Sequence, residues 1–237
     1  MKNLSIIIPC YNESENINIL FDKLSELIKF YNDVEIVIVD NGSIDNSITK
    51  IKNHNLYKND LITLVEIDKN IGYGHGIMSG VKKSSAKFIA WCHGDLQTNL
   101  TDVYNAFEKN LDKLEKTKSI IKGKRINRYI LDKFFTSGMS FVASFLFKCK
   151  LTDINAQPKI FSRNFLHLLN DPPRDFSLDL YLMLTAKMNN YEIIEYPLVW
   201  NKRTAGEAKG GGAFFPKIKL ILRTFNYIYN LKKSKKF

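Results

Sequence analysis

Short apolar runs alternate with segments of helical periodicity along the first half of this sequence. The runs at 4–8, 34–39, 61–67 and 87–91 have the length and the β-branched content of buried parallel strands. Each run is followed by polar residues and then by a segment with helical spacing, beginning near Ser14, near Asp45, after the glycines of NIGYGHG and near Asn99. This succession predicts an α/β fold, a Rossmann-like and mostly parallel sheet covered by helices on both faces.

The second half of the chain shows fewer clear elements. The apolar residues beside Pro158 indicate a further strand, and the uncharged run at 134–147 favours a buried helix over an interfacial one. Near the end, residues 214–237 combine one apolar helical face with a lysine-rich terminus. A basic amphipathic helix of this kind can lie on anionic lipid or can pack on the domain, and the pattern leaves both open.

Composition limits the class of protein. With 237 residues and 45% hydrophobic residues, the chain can bury the core of one large domain. The 35 Lys and Arg against 24 Asp and Glu give a net charge of +11, which favours an anionic partner. Three scattered cysteines indicate no disulfide framework. The apolar run at the N-terminus is too short for a signal peptide, so we expect a cytoplasmic protein.

Polar side chains follow three of the predicted strands at the point where each strand ends. The carboxyl ends of parallel strands share one edge of a sheet, where ligands bind in the crevice. Segments about 50 residues apart in the sequence therefore converge on one predicted pocket. The side chains concerned are Pro9, Tyr11 and Glu13 after the first strand, Asp40 after the second, and His93, Asp95 and Gln97 after the fourth.

Each of these motifs also has a purely structural interpretation. Asp40 can cap a helix within the turn DNGS, and Asp95 can be a solvated turn aspartate. The glycines of NIGYGHG invite comparison with GxGxxG, but Ile77 stands where the third glycine is required. We interpret them as a tight turn with close helix packing. The joint placement of the carboxylates favours a cation or a hydrogen-bonding ligand among them, because gathered carboxylates are costly without one.

Four ordered motifs resemble those of a known enzyme family. IIIPCYNESENI, VIVDNGSIDNS, NIGYGHGIMSG and FIAWCHGDLQ are similar to the nucleotide-sugar half of family 2 glycosyltransferases, including the polyprenyl-phosphate sugar transferases. The resemblance continues through DINAQPKIF and DFSLDLYLM. It implies the GT-A fold over a single domain at 1–213, with a nucleotide-binding half at 1–115 and an acceptor half at 116–213, followed by the helix at 214–237.

The resemblance also implies roles for the residues at the sheet edge. Asp95 stands at the second aspartate of the DxD motif, which binds Mn²⁺ or Mg²⁺ on the donor diphosphate, and His93 replaces the first. An imidazole ligand makes Mn²⁺ more suitable than Mg²⁺, although His93 can instead bind ribose or phosphate. Gln97 would lie beside the metal or the donor sugar. The base and ribose would be held by Pro9, Tyr11, Glu13, Ile38 and Asp40.

Two basic segments suit the diphosphate of the donor. Arg125 and Arg128 lie in KGKRINR, and Arg can engage phosphate with two hydrogen bonds. A solvated basic turn is the alternative. By resemblance, Arg203 and Lys209 in NKRTAGEAKGG belong to a lid that neutralises the leaving nucleoside diphosphate.

The acceptor decides whether the enzyme needs a general base. A sugar hydroxyl must lose its proton as it attacks, and Asp179 is the predicted base, with Asp175 second. Alternatively, Asp179 is a carboxylate that stabilises a helix N-terminus. An ionised polyprenyl phosphate needs no base, so both a polyprenyl phosphate and a glycan remain open as acceptors.

The sequence thus predicts an inverting, metal-dependent glycosyltransferase that uses a nucleoside-diphosphate sugar. The resemblance adds bacterial surface-glycan synthesis and peripheral contact with the inner face of the cell membrane through residues 214–237. A non-catalytic nucleotide-sugar-binding protein is the second hypothesis, because His93 interrupts the DxD motif. Nucleic-acid binding has only the positive charge in its favour, without a stacking motif or recognition helix, and we expect no such partner.

Overall fold

A computed structural model describes residues 2–59, 61–127, 130–201, 203 and 225–233. It contains one seven-stranded sheet in the order β3-β2-β1-β4-β6-β5-β7. All neighbouring strands pair in parallel except β6, which is antiparallel to both β4 and β5. The strands are β1 (Leu4–Cys10), β2 (Val34–Asp40), β3 (Thr63–Glu66), β4 (Phe88–Trp91), β5 (Ser119–Ile126), β6 (Lys159–Ser162) and β7 (Glu192–Val199).

Helices connect the strands and cover the sheet. A 3-10 helix, Arg163–Leu168, follows β6, and residues 225–233 are helical. The α-helices are α1 (Ile17–Phe30), α2 (Ser47–Asn53), α3 (Asn55–Lys58), α4 (Tyr73–Lys83), α5 (Leu100–Glu108), α6 (Leu111–Lys116), α7 (Ile130–Phe147) and α8 (Leu178–Met188).

The two faces of the sheet bury separate apolar clusters. Ile6 and Ile8 of β1 point into a cluster with α1 and α5, whereas Ile7 points to the other face, against α4 and α8. This alternation follows from the two-residue repeat of a strand, and a strand covered on both faces is apolar at every position. The predicted α/β sheet with helices on both faces is therefore confirmed.

The sheet also runs through both predicted halves of the chain. β5 and β7, from the predicted acceptor half, pair in parallel over eight residues and extend the same sheet as β1 to β4. Of the predicted helix at 214–237, the structure describes residues 225–233, in which Ile228 and Leu231 pack with Leu180 and Leu184 of α8.

The uncharged run at 134–147 forms most of α7, and the prediction that it is buried needs correction. Ala143 is fully buried, but Phe141 and Phe145 are 72% and 75% exposed. The helix is therefore amphipathic in its packing although its sequence carries no charge there. Among the described residues, no helix is long and apolar enough to cross a membrane.

Candidate functional site

The carboxyl ends of β1, β2 and β4 bring three carboxylates around one thiol. Burial raises the pKa of the Cys10 thiol, and the charges of Glu13, Asp40 and Asp95 raise it further. The register of the sheet pairs Cys10 with Asp40, and Gly94, next to Asp95, approaches Cys10 Sγ closely. The sheet thus gathers side chains that are far apart in the sequence, as parallel strands that end at one edge require.

Asp40 is the last residue of β2 and is fully buried. Its Oδ2 accepts a hydrogen bond of 3.0 Å from the backbone amide of Ser43, so Asp40 caps the turn. It does not cap a helix, because α2 begins at Ser47 with Asn46 as its N-cap. The Oδ1 of Asp40 is buried without a hydrogen-bond partner among the described residues. Such a group is costly unless a ligand supplies the missing donor, so the capping role and a ligand-binding role are compatible.

The loops after β1 and β2 are tied together. The Asn12 amide donates to Ser43 Oγ at 2.9 Å, and Asn12 Oδ1 accepts from the Ile44 amide at 2.9 Å. Asn12 has a φ of 52°, a left-handed conformation that asparagine tolerates better than most residues. Pro9 and Tyr11, at the same edge, are half-buried and so are partly accessible.

The segment after β4 carries the DxD-like motif. The side chains of His93, Asp95 and Gln97 are half-buried, and Asp95 Oδ1 accepts a hydrogen bond of 3.2 Å from the Gln97 amide. A Cβ built on Gly94 would lie 3.0 Å from Cys10 Sγ and 3.2 Å from the carbonyl oxygen of Pro9. Because glycine allows this close approach, His93 and Asp95 are held beside the end of β1.

This donor set fits a divalent ion bound together with a diphosphate. The described residues hold no group of three or more His, Cys, Asp and Glu side chains that could bind a metal by themselves. Mg²⁺ and similar ions in nucleotide sites use one or two carboxylates, and phosphates and waters complete the shell. One carboxylate, Asp95, beside an imidazole, His93, meets this requirement.

The chain returns to the same edge after β7. The Asn201 amide donates to the Gln97 carbonyl at 3.0 Å, and Gln97 Nε2 donates to the Asn201 carbonyl at 3.2 Å. Two residues later, Arg203 forms an ion pair with Glu13 Oε1. Glu13 Oε2 also accepts from Asn16 Nδ2 at 2.6 Å. The structure thus brings Gln97, Arg203 and Glu13 to one edge of the sheet, with Arg203 paired to a carboxylate. Their roles toward the donor stay predictions.

Ile38 does not belong to this edge. It is fully buried in the apolar cluster beneath α1, two residues before the end of β2. Its side chain faces the core because strand residues alternate between faces. The buried side chain of Ile38 therefore gives no support to its predicted role in holding the base and ribose, and that role stays a prediction.

Asp179, the predicted base, is 1% exposed. Its Oδ1 accepts from Trp91 Nε1 at 3.1 Å, and its Oδ2 accepts from Gln157 Nε2 at 2.9 Å. Lys159 Nζ lies 3.4 Å from Oδ1, and burial lowers the pKa of this lysine to about 8. A base must reach the proton that it abstracts, and here protein donors surround the carboxylate. The base role stays a prediction, whereas the buried network is a geometric fact.

The same network reaches the segment with the DxD-like motif through Tyr73. Gln157 Nε2 donates to the Tyr73 hydroxyl at 2.9 Å, and the Tyr73 ring lies 5.4 Å from the His93 ring. Phe176 stacks on the other side of Tyr73 at 4.8 Å. Sequence reasoning missed Tyr73 and Gln157. The available signal was Lys159, a charged residue at the start of the short strand KIFS.

Arg125 also has protein partners. Its Nε lies 3.0 Å from Asp153 Oδ1, and its guanidinium lies 4.9 Å from the centre of the Trp200 ring. Its predicted role as a diphosphate ligand would require this pair to open. The predicted ligands Arg128 and Lys209 lie outside the described residues.

The glycines of NIGYGHG serve close packing, as interpreted from the sequence. Gly72 has a φ of 146°, and a Cβ on it would lie 2.3 Å from the Arg174 carbonyl oxygen. A Cβ on Gly74 would lie 2.2 Å from the Pro173 carbonyl oxygen. These contacts hold the start of α4 against the loop that precedes α8.

Comparison with known proteins decides the family. The model of glycosyl transferase family 2 matches residues 5–167. This chain belongs to glycosyl transferase family 2. The match includes β1, β2, β4 and β6 with the edge described above. It is therefore a glycosyltransferase, and the catalytic hypothesis is favoured over a protein that only binds nucleotide sugars.

Two curated relatives act on lipid phosphates by name. A dolichyl-phosphate beta-glucosyltransferase of Trichomonas vaginalis is 26% identical over 237 residues, which cover 92% of this chain and 69% of the relative. An undecaprenyl-phosphate 4-deoxy-4-formamido-L-arabinose transferase of Yersinia enterocolitica is 35% identical over 98 residues, which cover 41% of this chain and 30% of the relative.

Solved structures share the GT-A fold at low identity. The glucosyl-3-phosphoglycerate synthase of Mycobacterium tuberculosis, crystallised with Mn²⁺, UDP and phosphoglyceric acid, has a TM-score of 0.72 and 13% identity, covering 98% of this chain and 78% of that chain. A mannosyltransferase of Pyrobaculum calidifontis, in complex with GDP-Man and Mn²⁺, has a TM-score of 0.65 and 18% identity, covering 97% and 70%. These likenesses establish the fold.

Proposed function

We propose that this enzyme transfers a sugar, with inversion, from a nucleoside-diphosphate sugar to a polyprenyl phosphate with the help of Mn²⁺ or Mg²⁺. The observation that carries the donor part is the buried Asp40 Oδ1, which has no hydrogen-bond partner among the described residues and lies at the same sheet edge as Asp95 in a chain of net charge +11. Carboxylates collected at one edge of a basic protein are explained by a cation and by hydrogen-bond donors of a ligand.

The nucleoside would lie at the ends of β1 and β2. Asp40 Oδ1 has no hydrogen-bond partner in the part of the chain that the structure describes, and it can accept from an N–H of the base or from a ribose hydroxyl. Pro9 and Tyr11 are half-buried beside it and offer apolar surface to the base. Glu13 would contact the ribose. Structures of the same fold contain UDP or GDP-Man with Mn²⁺, which supports this class of donor.

The diphosphate would lie at the end of β4. Asp95 and His93 would hold the metal ion, which, when bound, supplies charge stabilisation for the leaving diphosphate. Gln97 would lie beside the ion or the donor sugar. Arg203 already lies at this edge and would exchange Glu13 for phosphate oxygens. We also propose Arg128 and Lys209 as further cations for the leaving group, whereas the ion pair of Arg125 with Asp153 favours a structural role for that guanidinium.

The burial of Asp179 favours the phosphate acceptor. A sugar hydroxyl needs a base at the acceptor site, but the predicted base is 1% exposed and surrounded by Trp91, Gln157 and Lys159. A phosphate oxygen is ionised near neutral pH and attacks without a base. The relatives named as dolichyl-phosphate and undecaprenyl-phosphate transferases support the same acceptor. We propose that the enzyme acts at the inner face of a membrane, where such an acceptor resides.

A growing glycan is the second candidate acceptor, and one experiment separates the two. Nucleoside diphosphates are first screened by thermal shift with and without Mn²⁺, because a ligand of the native state raises Tm by mass action. Turnover of the matching donor is then measured with dolichyl or undecaprenyl phosphate and with oligosaccharides. We expect transfer to the lipid phosphate. Transfer to oligosaccharides alone would overturn the proposed acceptor, and the absence of any nucleotide-dependent shift would overturn the donor.

A further inference from the structure

Helix α7 presents an apolar face to solvent. Phe141 and Phe145, one turn apart, are 72% and 75% exposed. Gly138, one turn before Phe141, is exposed, and a Cβ built there meets no atom within 4 Å. Positions three and four apart lie on one side of a helix. The opposite side is packed, because Ala143 lies in a cluster with Leu180, Leu184, Ile228 and Leu231.

This face differs from a single exposed apolar residue, which is common on protein surfaces. Phe30 of α1 is also 73% exposed, but it follows Lys29 at the end of a helix with a polar outer side. Phe141 and Phe145 instead lie within an uncharged run at 134–147. Two aromatic rings on one uncharged helix face form an apolar patch, and such patches indicate a binding surface.

Positive charge borders the patch. Lys148 and Lys150 directly follow α7 and are exposed. The neighbouring helix at 225–233 presents Lys232 and Lys233 to solvent and leaves Tyr229 67% exposed. Aromatic rings bordered by lysines are typical of helices that lie in the interface of an anionic bilayer, with the rings among the acyl chains and the ammonium groups at the headgroups.

The patch is also coupled to the site. Ser144, on the packed side of α7, accepts a hydrogen bond of 2.9 Å from the Leu151 amide. Leu151 begins the segment that carries Asp153, the partner of Arg125, and Gln157, the partner of Asp179. A contact at α7 would therefore hold this segment, and the acceptor side of the sheet, in a fixed orientation to the bound surface.

We propose that Phe141 and Phe145, with Lys148 and Lys150, form the surface by which this enzyme docks on an anionic lipid bilayer. The inference rests on the proposed lipid-phosphate acceptor, since that acceptor resides in a membrane. In this proposal the main membrane contact is α7, and not the segment at 214–237 that the sequence predicted. The lysines favour lipid with negatively charged headgroups as the partner. A second copy of this strongly basic chain would repel them.

The test is co-sedimentation of the full chain with vesicles of phosphatidylcholine, with and without phosphatidylglycerol. We expect binding only to the anionic vesicles. The double variant Phe141→Ser/Phe145→Ser should lower partitioning at least about tenfold, because each interfacial phenylalanine contributes apolar burial of that order. Lys148→Glu/Lys150→Glu should lower it about fivefold for each lysine and remove the preference for anionic lipid.

Matched controls keep the test sharp. Phe30→Ser removes an equally exposed phenylalanine from another helix and should leave partitioning unchanged. In a second measurement, the fluorescence of Phe145→Trp should shift to the blue on anionic vesicles, and that of Phe30→Trp should not. The inference is overturned if neither Phe145 variant responds, or if Phe141→Ser/Phe145→Ser changes the oligomeric state in light scattering while vesicle binding stays unchanged.

The measurements also separate this inference from the proposed function. Vesicle binding needs no donor, and donor binding by calorimetry with Mn²⁺ needs no vesicle. Vesicle binding by α7 without transfer to any polyprenyl phosphate would contradict the proposed acceptor and leave the docking surface standing. Transfer to a detergent-dispersed polyprenyl phosphate, with no vesicle binding, would contradict the docking surface alone.

Discussion

Charged side chains have different partners in two regions of the sheet. At the ends of β1, β2 and β4, Asp40 keeps a buried oxygen without a partner among the described residues, and Asp95 is half-buried at an accessible edge. In the β5-β6-β7 region, the charges described here meet other charges. Lys122 lies 3.1 Å from Glu195, Arg125 pairs with Asp153, and Lys159 lies 3.4 Å from Asp179.

The difference separates Asp40 and Asp95, which keep capacity for a ligand, from groups that stabilise the fold. Glu13, in the first region, is already paired with Arg203 and belongs with the second kind until that pair opens. A carboxylate that already accepts from a buried lysine or arginine must lose that partner before it serves chemistry, and unpairing a buried charge is costly. A carboxylate oxygen without a protein partner can accept a hydrogen bond from a ligand without first losing one. We therefore expect substitutions in the first region to affect donor binding and turnover, and substitutions in the second region to affect folding stability first.

Asp95→Ala should produce the largest effect. Removal of the carboxylate that we propose as the metal ligand should lower turnover by at least about a thousandfold, because charge stabilisation by a metal ion contributes several kcal/mol to the transition state. Calorimetry should show that nucleoside-diphosphate binding no longer depends on Mn²⁺. Asp112→Ala, which removes an exposed carboxylate from α6, is the matched control. Unchanged affinity and unchanged Mn²⁺ dependence in Asp95→Ala would contradict the metal assignment.

Asp179→Ala should mainly affect stability. It leaves the buried ammonium of Lys159 without its carboxylate, and breaking a buried ion pair costs about 3–5 kcal/mol. Urea unfolding should show this loss, whereas nucleotide affinity should change little. Asp175→Ala, in the loop before α8, should cost far less, because that carboxylate accepts only a local hydrogen bond from the Ser177 amide at 2.9 Å among the bonds described.

The isosteric variant Asp179→Asn tests the competing role of this carboxylate. If Asp179 is a general base, the variant should lower turnover by on the order of 10²–10⁴ while stability stays near that of the native protein. Such a result, together with transfer to a hydroxyl acceptor, would remove the contrast between the two regions at this residue. We expect the reverse: Asp179→Asn should lower the free energy of unfolding, and turnover should change little.

Arg125 and Asp153 should show a smaller effect that also marks the second region as structural. In a double-mutant cycle of Arg125→Ala and Asp153→Ala, we expect a coupling energy of about 1–3 kcal/mol, as for contacting residues in one network. UDP or GDP affinity should stay within a few-fold of the native value. A drop beyond tenfold in Arg125→Ala with unchanged stability would instead assign the guanidinium to the diphosphate.

Much of the fold was readable from the sequence, because burial on both faces makes parallel strands apolar at every position. The runs at 34–39 and 87–91 closely match β2 and β4, and the edge position of Asp40, Asp95 and Glu13 follows from parallel topology alone. The antiparallel insertion of β6 between β4 and β5 was not predicted, since pairing order depends on contacts between distant segments that no local pattern records.

The site was less predictable where burial decides the role of a residue. Ile38 shares a motif with Asp40 but faces the core, and Asp179 shares a motif with family residues but is enclosed by Trp91 and Gln157. Both depend on side-chain direction and long-range packing. The exposed face of α7 was missed for the opposite reason, because a run without charges does not reveal which of its sides the protein covers.

The pH dependence of stability gives the smallest predicted effect and reports on the centre of the second region. Burial lowers the pKa of Lys159 from 10.5 to about 8. Below pH 8 the lysine is protonated in the folded and unfolded states, and the folded protein carries the full cost of the buried charge. Between about pH 8 and the unfolded pKa near 10.4, the unfolded chain binds more protons, so the free energy of unfolding should rise with pH.

Lys159→Met isolates this contribution, because methionine fills a similar volume without a titrating group. Urea titration at several pH values measures the free energy of unfolding of the native protein and of Lys159→Met. Above pH 8, the difference between the two should change in favour of the native protein by at most about 1.4 kcal/mol per pH unit. Lys52→Met, at an exposed surface pair with Glu66, should show no such trend. A flat difference for Lys159→Met would mean that the lysine keeps its proton in this range and that Asp179 holds it as a strong ion pair. The contrast between the two regions would then be sharper, since the carboxylate would be even less available as a base.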